Sequence, residues 1–127
     1  MVRRFFLLFS LLGFAAPVNA QSIYLKCNSP LDNGRDFFVW LTINPGQEFG
    51  SARTINLMGV EKSVRATQVI TATQYILETP YVEGLKMIYE VDRTNGEFSR
   101  VFDMKNLRKS APHYGTCEKD APARTMF

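Results

Sequence analysis

The strongest constraint on how this chain can fold is a period of two. Apolar residues recur at every second position in run after run, which sends successive side chains to opposite faces of an extended backbone. Ile23, Leu25 and Cys27 share one face of the stretch from Ser22 to Cys27. Phe37, Val39, Leu41 and Ile43 share one face of Asp36 to Asn44, with Phe38, Trp40 and Thr42 on the other. Leu85, Met87, Tyr89 and Val91 alternate with Lys86, Ile88, Glu90 and Asp92, and Phe98 and Phe102 share a face of Glu97 to Asp103. Between the last two runs lies Arg93-Thr94-Asn95-Gly96, a strong hairpin turn because Asn and Gly tolerate positive φ.

The remaining strands are fainter. Ala52 to Met58 is broken by Gly59, Ser63 to Ile70 is β-branched with patchy alternation, and Thr73 to Thr79 is closed by Pro80, which cannot donate to a ladder. Residues 104–112 form a polar loop with room for one helical turn at Met104 to Arg108, and Tyr114 to Cys117 is a short closing strand. No long segment has helical spacing. Seven or eight short strands define an all-β fold, a small antiparallel barrel or sandwich.

Residues 1–20 have the three parts of a secretory signal peptide: Arg3 and Arg4, an apolar run from Phe5 to Ala16, and Val18-Asn19-Ala20 before a cut that leaves Gln21 first. The run is shorter than the roughly 20 residues a bilayer span needs, so no stable membrane span is expected after cleavage. Arg3-Arg4-Phe5-Phe6-Leu7 has the look of a twin-arginine motif, but no cofactor motif follows it. The expected organisation is a signal peptide at 1–20, one β domain at 21–117 and a flexible tail at 118–127. The chain's fifteen basic residues, less Arg3 and Arg4, against twelve acidic ones leave a net charge of +1. That near-neutral balance lacks the clustered excess of base that nucleic acid requires.

The two cysteines, Cys27 and Cys117, both survive cleavage. In the periplasm, or in a secreted protein, two cysteines most simply pair with each other. Closing so long a loop stabilises the fold by about 4–5 kcal/mol as an upper figure in the chain-entropy account.

Three segments carry a family resemblance: Tyr24-Leu25-Lys26-Cys27, Asp92-Arg93-Thr94-Asn95-Gly96-Glu97-Phe98, and Gly115-Thr116-Cys117-Glu118-Lys119. With these the chain resembles small exported bacterial single-disulfide β proteins, and is similar in architecture to the periplasmic inhibitors of C-type lysozyme. The resemblance implies a disulfide-closed β-barrel. Those inhibitors carry a Ser-Gly-x-x-Tyr type loop; Asn95-Gly96-Glu97-Phe98-Ser99 occupies the nearest position here and lacks both the Ser and the Tyr.

Residues able to do chemistry are sparse. His113 is the single histidine, the serines lack a Gly-x-Ser-x-Gly elbow, and there is neither a phosphate loop nor metal-ligand spacing. No catalytic residue, metal ligand or cofactor is therefore assigned. Glu78, Glu83, Glu90, Asp92 and Asp103 are candidates by type for paired-carboxylate hydrolysis. The expected role is an exported non-catalytic binding or inhibitor module of the bacterial cell envelope. Its expected partner is an envelope protein or glycan, and a minimal periplasmic hydrolase is the alternative. Candidate partner-binding residues are Arg93, Asn95 and Gly96 at the hairpin tip, Arg100 in the nearby basic stretch, and Trp40 among the strand aromatics.

Overall fold

The computed structural model describes residues 21–31, 34–56, 58–105 and 109–120. Eight strands follow one another: β1 (Ile23–Pro30), β2 (Asp36–Ile43), β3 (Phe49–Ile55), β4 (Glu61–Ile70), β5 (Gln74–Glu78), β6 (Leu85–Asp92), β7 (Glu97–Met104) and β8 (His113–Lys119). Each pairs antiparallel with the next, and β8 returns to β1, so the sheet closes into a barrel and not a sandwich. Closure removes the exposed edges that an open sheet of eight strands would leave.

The alternation in the sequence becomes inside and outside. Leu25 and Cys27 from β1, Val39, Leu41 and Ile43 from β2, Tyr75 and Leu77 from β5, Tyr89 and Val91 from β6, and Phe98 from β7 point inward and form one core. Phe98 is the largest fully buried side chain, and burial of such a residue contributes about 1.5–3 kcal/mol. The Cys27–Cys117 disulfide forms, and the two residues stand opposite one another in the β1–β8 register. Such a bond belongs to an oxidising, non-cytosolic compartment.

Because neighbouring strands run in opposite directions, the connections sort into two ends. The strand ends at Pro30, Ile55, Glu78 and Met104 meet at the mouth, together with residues 79–84, while the turns at 44–48, 71–73 and 93–96 close the base. A side-chain clamp secures the base. Gln68 donates through Nε2 to the carbonyls of Asn44 at 2.6 Å and Gln47 at 2.9 Å, and its Oε1 accepts from the Asn44 amide at 3.0 Å. Asn44 in turn donates to the Phe49 carbonyl at 2.9 Å and accepts from Ser22 Oγ at 2.6 Å.

Boundaries differ from the sequence expectation in two places. β8 continues to Lys119, which pairs with Leu25, and the Asp120 amide donates to the Tyr24 carbonyl at 2.8 Å, so the ordered domain extends past Cys117. Met104 ends β7 instead of opening a helical turn; residues 106–108 of that turn lie outside the described residues. The signal segment at 1–20 and residues 121–127 of the tail also lie outside them.

Candidate functional site

At the mouth the barrel is not filled. A cavity of about 610 Å³ opens there. Its cause is an imbalance of side-chain size between walls. β3 and β4 turn Ala52, Thr54 and Val64 toward it, while Phe37, Met87, Tyr89 and Phe102 project from β2, β6 and β7. Small residues on one wall opposite large ones on the other leave space that the packed base does not have. An eight-stranded barrel has an interior just wide enough to be filled by side chains or to hold one small ligand.

The floor of this cavity is polar in one place. Tyr89 on β6 pairs with Arg100 on β7, and Arg100 pairs with His113 on β8, so three side chains line the cavity in one row. Arg100 is only 3% exposed. Its guanidinium lies 4.1 Å from the centroid of the Phe37 ring and 5.3 Å from that of Phe102. Among the described residues no carboxylate pairs with it, and its Nε is buried without a hydrogen-bond partner. His113 Nδ1 is in the same condition, with its ring 5.9 Å from Phe102. Burial lowers the Arg100 pKa, since a charge removed from water is disfavoured. Burial also pushes the Tyr89 phenol up to about 12, against a smaller opposing pull from Arg100.

The rim around the cavity is greasy. Ile55, Met58, Val60, Tyr81, Val82, Leu85 and Met104 are exposed on or beside the mouth loops, Met58 at 85%. The turns at the base are more polar, built from Asn44-Pro45-Gly46-Gln47-Glu48, Thr71-Ala72-Thr73 and Arg93-Thr94-Asn95-Gly96, with Val69 and Ile70 exposed beside the second.

The residues singled out in the sequence are dispersed. Arg93, Asn95 and Gly96 sit at the base, away from the mouth, and serve their own turns. Arg93 donates to the Thr71 carbonyl and covers the Tyr75 ring at 4.8 Å. Asn95 Oδ1 accepts from the Glu97 amide at 2.9 Å, and Gly96 has φ of 79° with its carbonyl accepting from the Cys117 amide. Trp40 lies on the outer face, in register between Lys26 and Arg53, whose charged ends lie 6.0 and 4.5 Å from its ring. Arg100 requires a correction: it is not part of a solvated basic surface but lies inside the barrel.

Two of the carboxylates, Glu78 and Asp103, flank Lys86 and Tyr81 on the outer face of the barrel, and no two of the five meet across the cavity. Glu78 accepts from Lys86 at 3.1 Å, Asp103 accepts from the Tyr81 hydroxyl at 3.0 Å, and Asp92 caps Thr94 at the base. Of the five candidates, Glu83 is the one that lines the mouth. Among the described residues no group of three or more His, Cys, Asp or Glu side chains is arranged to hold a metal.

Fold and site together define a closed antiparallel β-barrel with a stapled seam and a ligand-sized cavity at one end. No family model matches the chain, and comparison with curated proteins and with solved structures gives no match.

Proposed function

We propose that this protein is an exported, non-catalytic binding module that takes a small, largely apolar molecule into the mouth of its barrel. The cavity carries the proposal. Its volume of about 610 Å³ falls in the range of small-molecule sites, and its lining is mainly apolar with a few convergent polar groups. A barrel selected only to fold gains by filling such space, because an unfilled apolar cavity lowers stability. Export is supported by the tripartite segment at 1–20 and by the disulfide, with the periplasm or the extracellular space as the destination. Binding is favoured over hydrolysis because, of the five candidate carboxylates, Glu83 alone lines the cavity, while Glu78 and Asp103 are engaged by Lys86 and Tyr81 on the outer face, so no two of them face one another across the cavity. The mouth is favoured over the hairpin tip because the tip's polar groups are taken up by the turn itself.

The test is a fluorescence titration of the exported protein with a neutral solvatochromic dye such as Nile red. Saturable one-site binding is expected, and Thr54→Phe, which fills the cavity from its small wall, should abolish it with the melting temperature retained. Absence of saturable binding, or binding indifferent to Thr54→Phe, overturns the proposal. Intact mass of the recovered protein tests export separately: a chain beginning at Gln21 is expected, and a full-length mass in the exported fraction overturns it.

A further inference from the structure

We propose that the molecule held in the mouth is an anionic amphiphile whose head group seats on the Arg100 guanidinium, an inference that rests on the binding role proposed above. Arg100 is 97% removed from solvent, lines the cavity and pairs with no carboxylate among the described residues. Its Nε has no hydrogen-bond partner, and the guanidinium lies against two aromatic rings, Phe37 and Phe102. Cation–π contact compensates only part of the lost hydration of a buried charge. An apolar residue of similar length would pack into the same space without that penalty. The arrangement is what a site for an anion needs: a fixed planar fork of donors, desolvated in advance, which a carboxylate, sulfate or phosphate can accept from.

The surroundings specify the rest of the ligand. His113 Nδ1 lies in the same row of the sheet and is also without a partner, so a second polar contact to the head group is at hand. From Arg100 outward the wall is Met87, Leu85, Val82 and Val64, which suits an aliphatic chain and leads to the exposed apolar rim. Lys62 adds positive charge at the rim, and Glu83, in the loop between β5 and β6, is the acidic residue of the lining. An anion buried at Arg100 and a chain running toward the rim would use both features.

Calorimetric titration of the exported protein with decanoate, decyl sulfate and decanol tests this. At least one of the two anions should bind about 10- to 100-fold more tightly than decanol, the range expected for hydrogen bonds to a charged group. Arg100→Met should erase that advantage, leave decanol affinity unchanged, and melt no lower than the parent chain. Both anions binding assigns a general anion site, and decanoate alone assigns a carboxylate site. Equal affinity for all three ligands in the parent chain overturns the anionic head group while leaving the binding role intact. Failure of all three ligands and of the dye to bind overturns both. An Arg100→Met chain that fails to fold does not affect the comparison of decanol with the two anions in the parent chain, which decides the matter alone.

Discussion

Cys27 and Cys117 face one another across the β1–β8 pair, so the disulfide staples the barrel at its one seam whose strands are not joined by a turn. Every other neighbouring pair is consecutive in the chain and held together by a short connection. The first and last strands have no such tether, and bringing them together carries the full entropy of closing the chain. Removing the bond by Cys27→Ala with Cys117→Ala should therefore lower stability by several kcal/mol, up to about 4–5 kcal/mol. Urea unfolding of the parent and the double variant measures it. A loss below about 1 kcal/mol would show that strand pairing alone holds the seam.

The same seam limits side-chain size. A Cβ on Gly115 would lie 1.8 Å from the Asn28 carbonyl oxygen, which is backbone and cannot swing aside. Gly115→Ala should force β1 and β8 apart and cost at least the 1–3 kcal/mol typical of overpacking, about the upper end here. Gly46→Ala is the contrast, with a strained φ of 82° but nothing within reach of the added methyl. Its cost should stay at about 1–2 kcal/mol, and the two are compared by chemical denaturation.

Gln68→Ala should loosen the base. The substitution removes three hydrogen bonds to the turn after β2, two of them to Asn44 and one to Gln47. A cost of about 1–3 kcal/mol is expected, with faster amide exchange at Asn44 and unchanged exchange in β6 and β7. Uniform acceleration across the barrel would show instead that the base opens only on global unfolding.

Alkaline stability should depend on Tyr89. Its phenol titrates near 12 in the folded chain and near 10 when unfolded, so the unfolded chain releases its proton first. Folding thus loses stability as pH rises from about 10 to about 12, by roughly 2–3 kcal/mol in all, and is unaffected by this group below 10. Tyr89→Phe should flatten that part of the profile of melting temperature against pH. A profile unchanged by the substitution would place the alkaline transition elsewhere.

The barrel's inside could be read from parity alone. Ile23, Leu25 and Cys27, then Phe37 to Ile43, then Leu85 to Val91 fall where the alternation puts them, because a closed sheet with a dry interior enforces period two strictly. The choice of barrel over sandwich could not be read, since it depends on β8 pairing with β1, a contact between residues far apart in sequence. Arg100 is instructive in the other direction. It stands two residues from Phe98 and two from Phe102, so the same parity puts it inside. Its charge suggested a solvated surface, and charge is a weaker guide than register in a barrel. The cavity itself had a faint signal in the small residues Ala52 and Thr54, but their effect depends on which side chains face them across the interior. That is set by the stagger of eight strands, not by any one of them.

The two ends of the barrel have different fates. Side chains and the Asn44–Gln68 clamp fill the base, while the other end stands open. Among the described residues, a cavity open at the mouth above a packed base is no conduit. Under the proposed binding role, a molecule entering past Met58 and Val82 would have to leave the way it came, and a second could not push it through. Uptake and release would then compete for the mouth, and exchange would wait for the occupant to vacate it. The rim would set the tempo of that exchange, while the disulfide, by holding β1 to the strand that carries His113, keeps that wall of the cavity from parting.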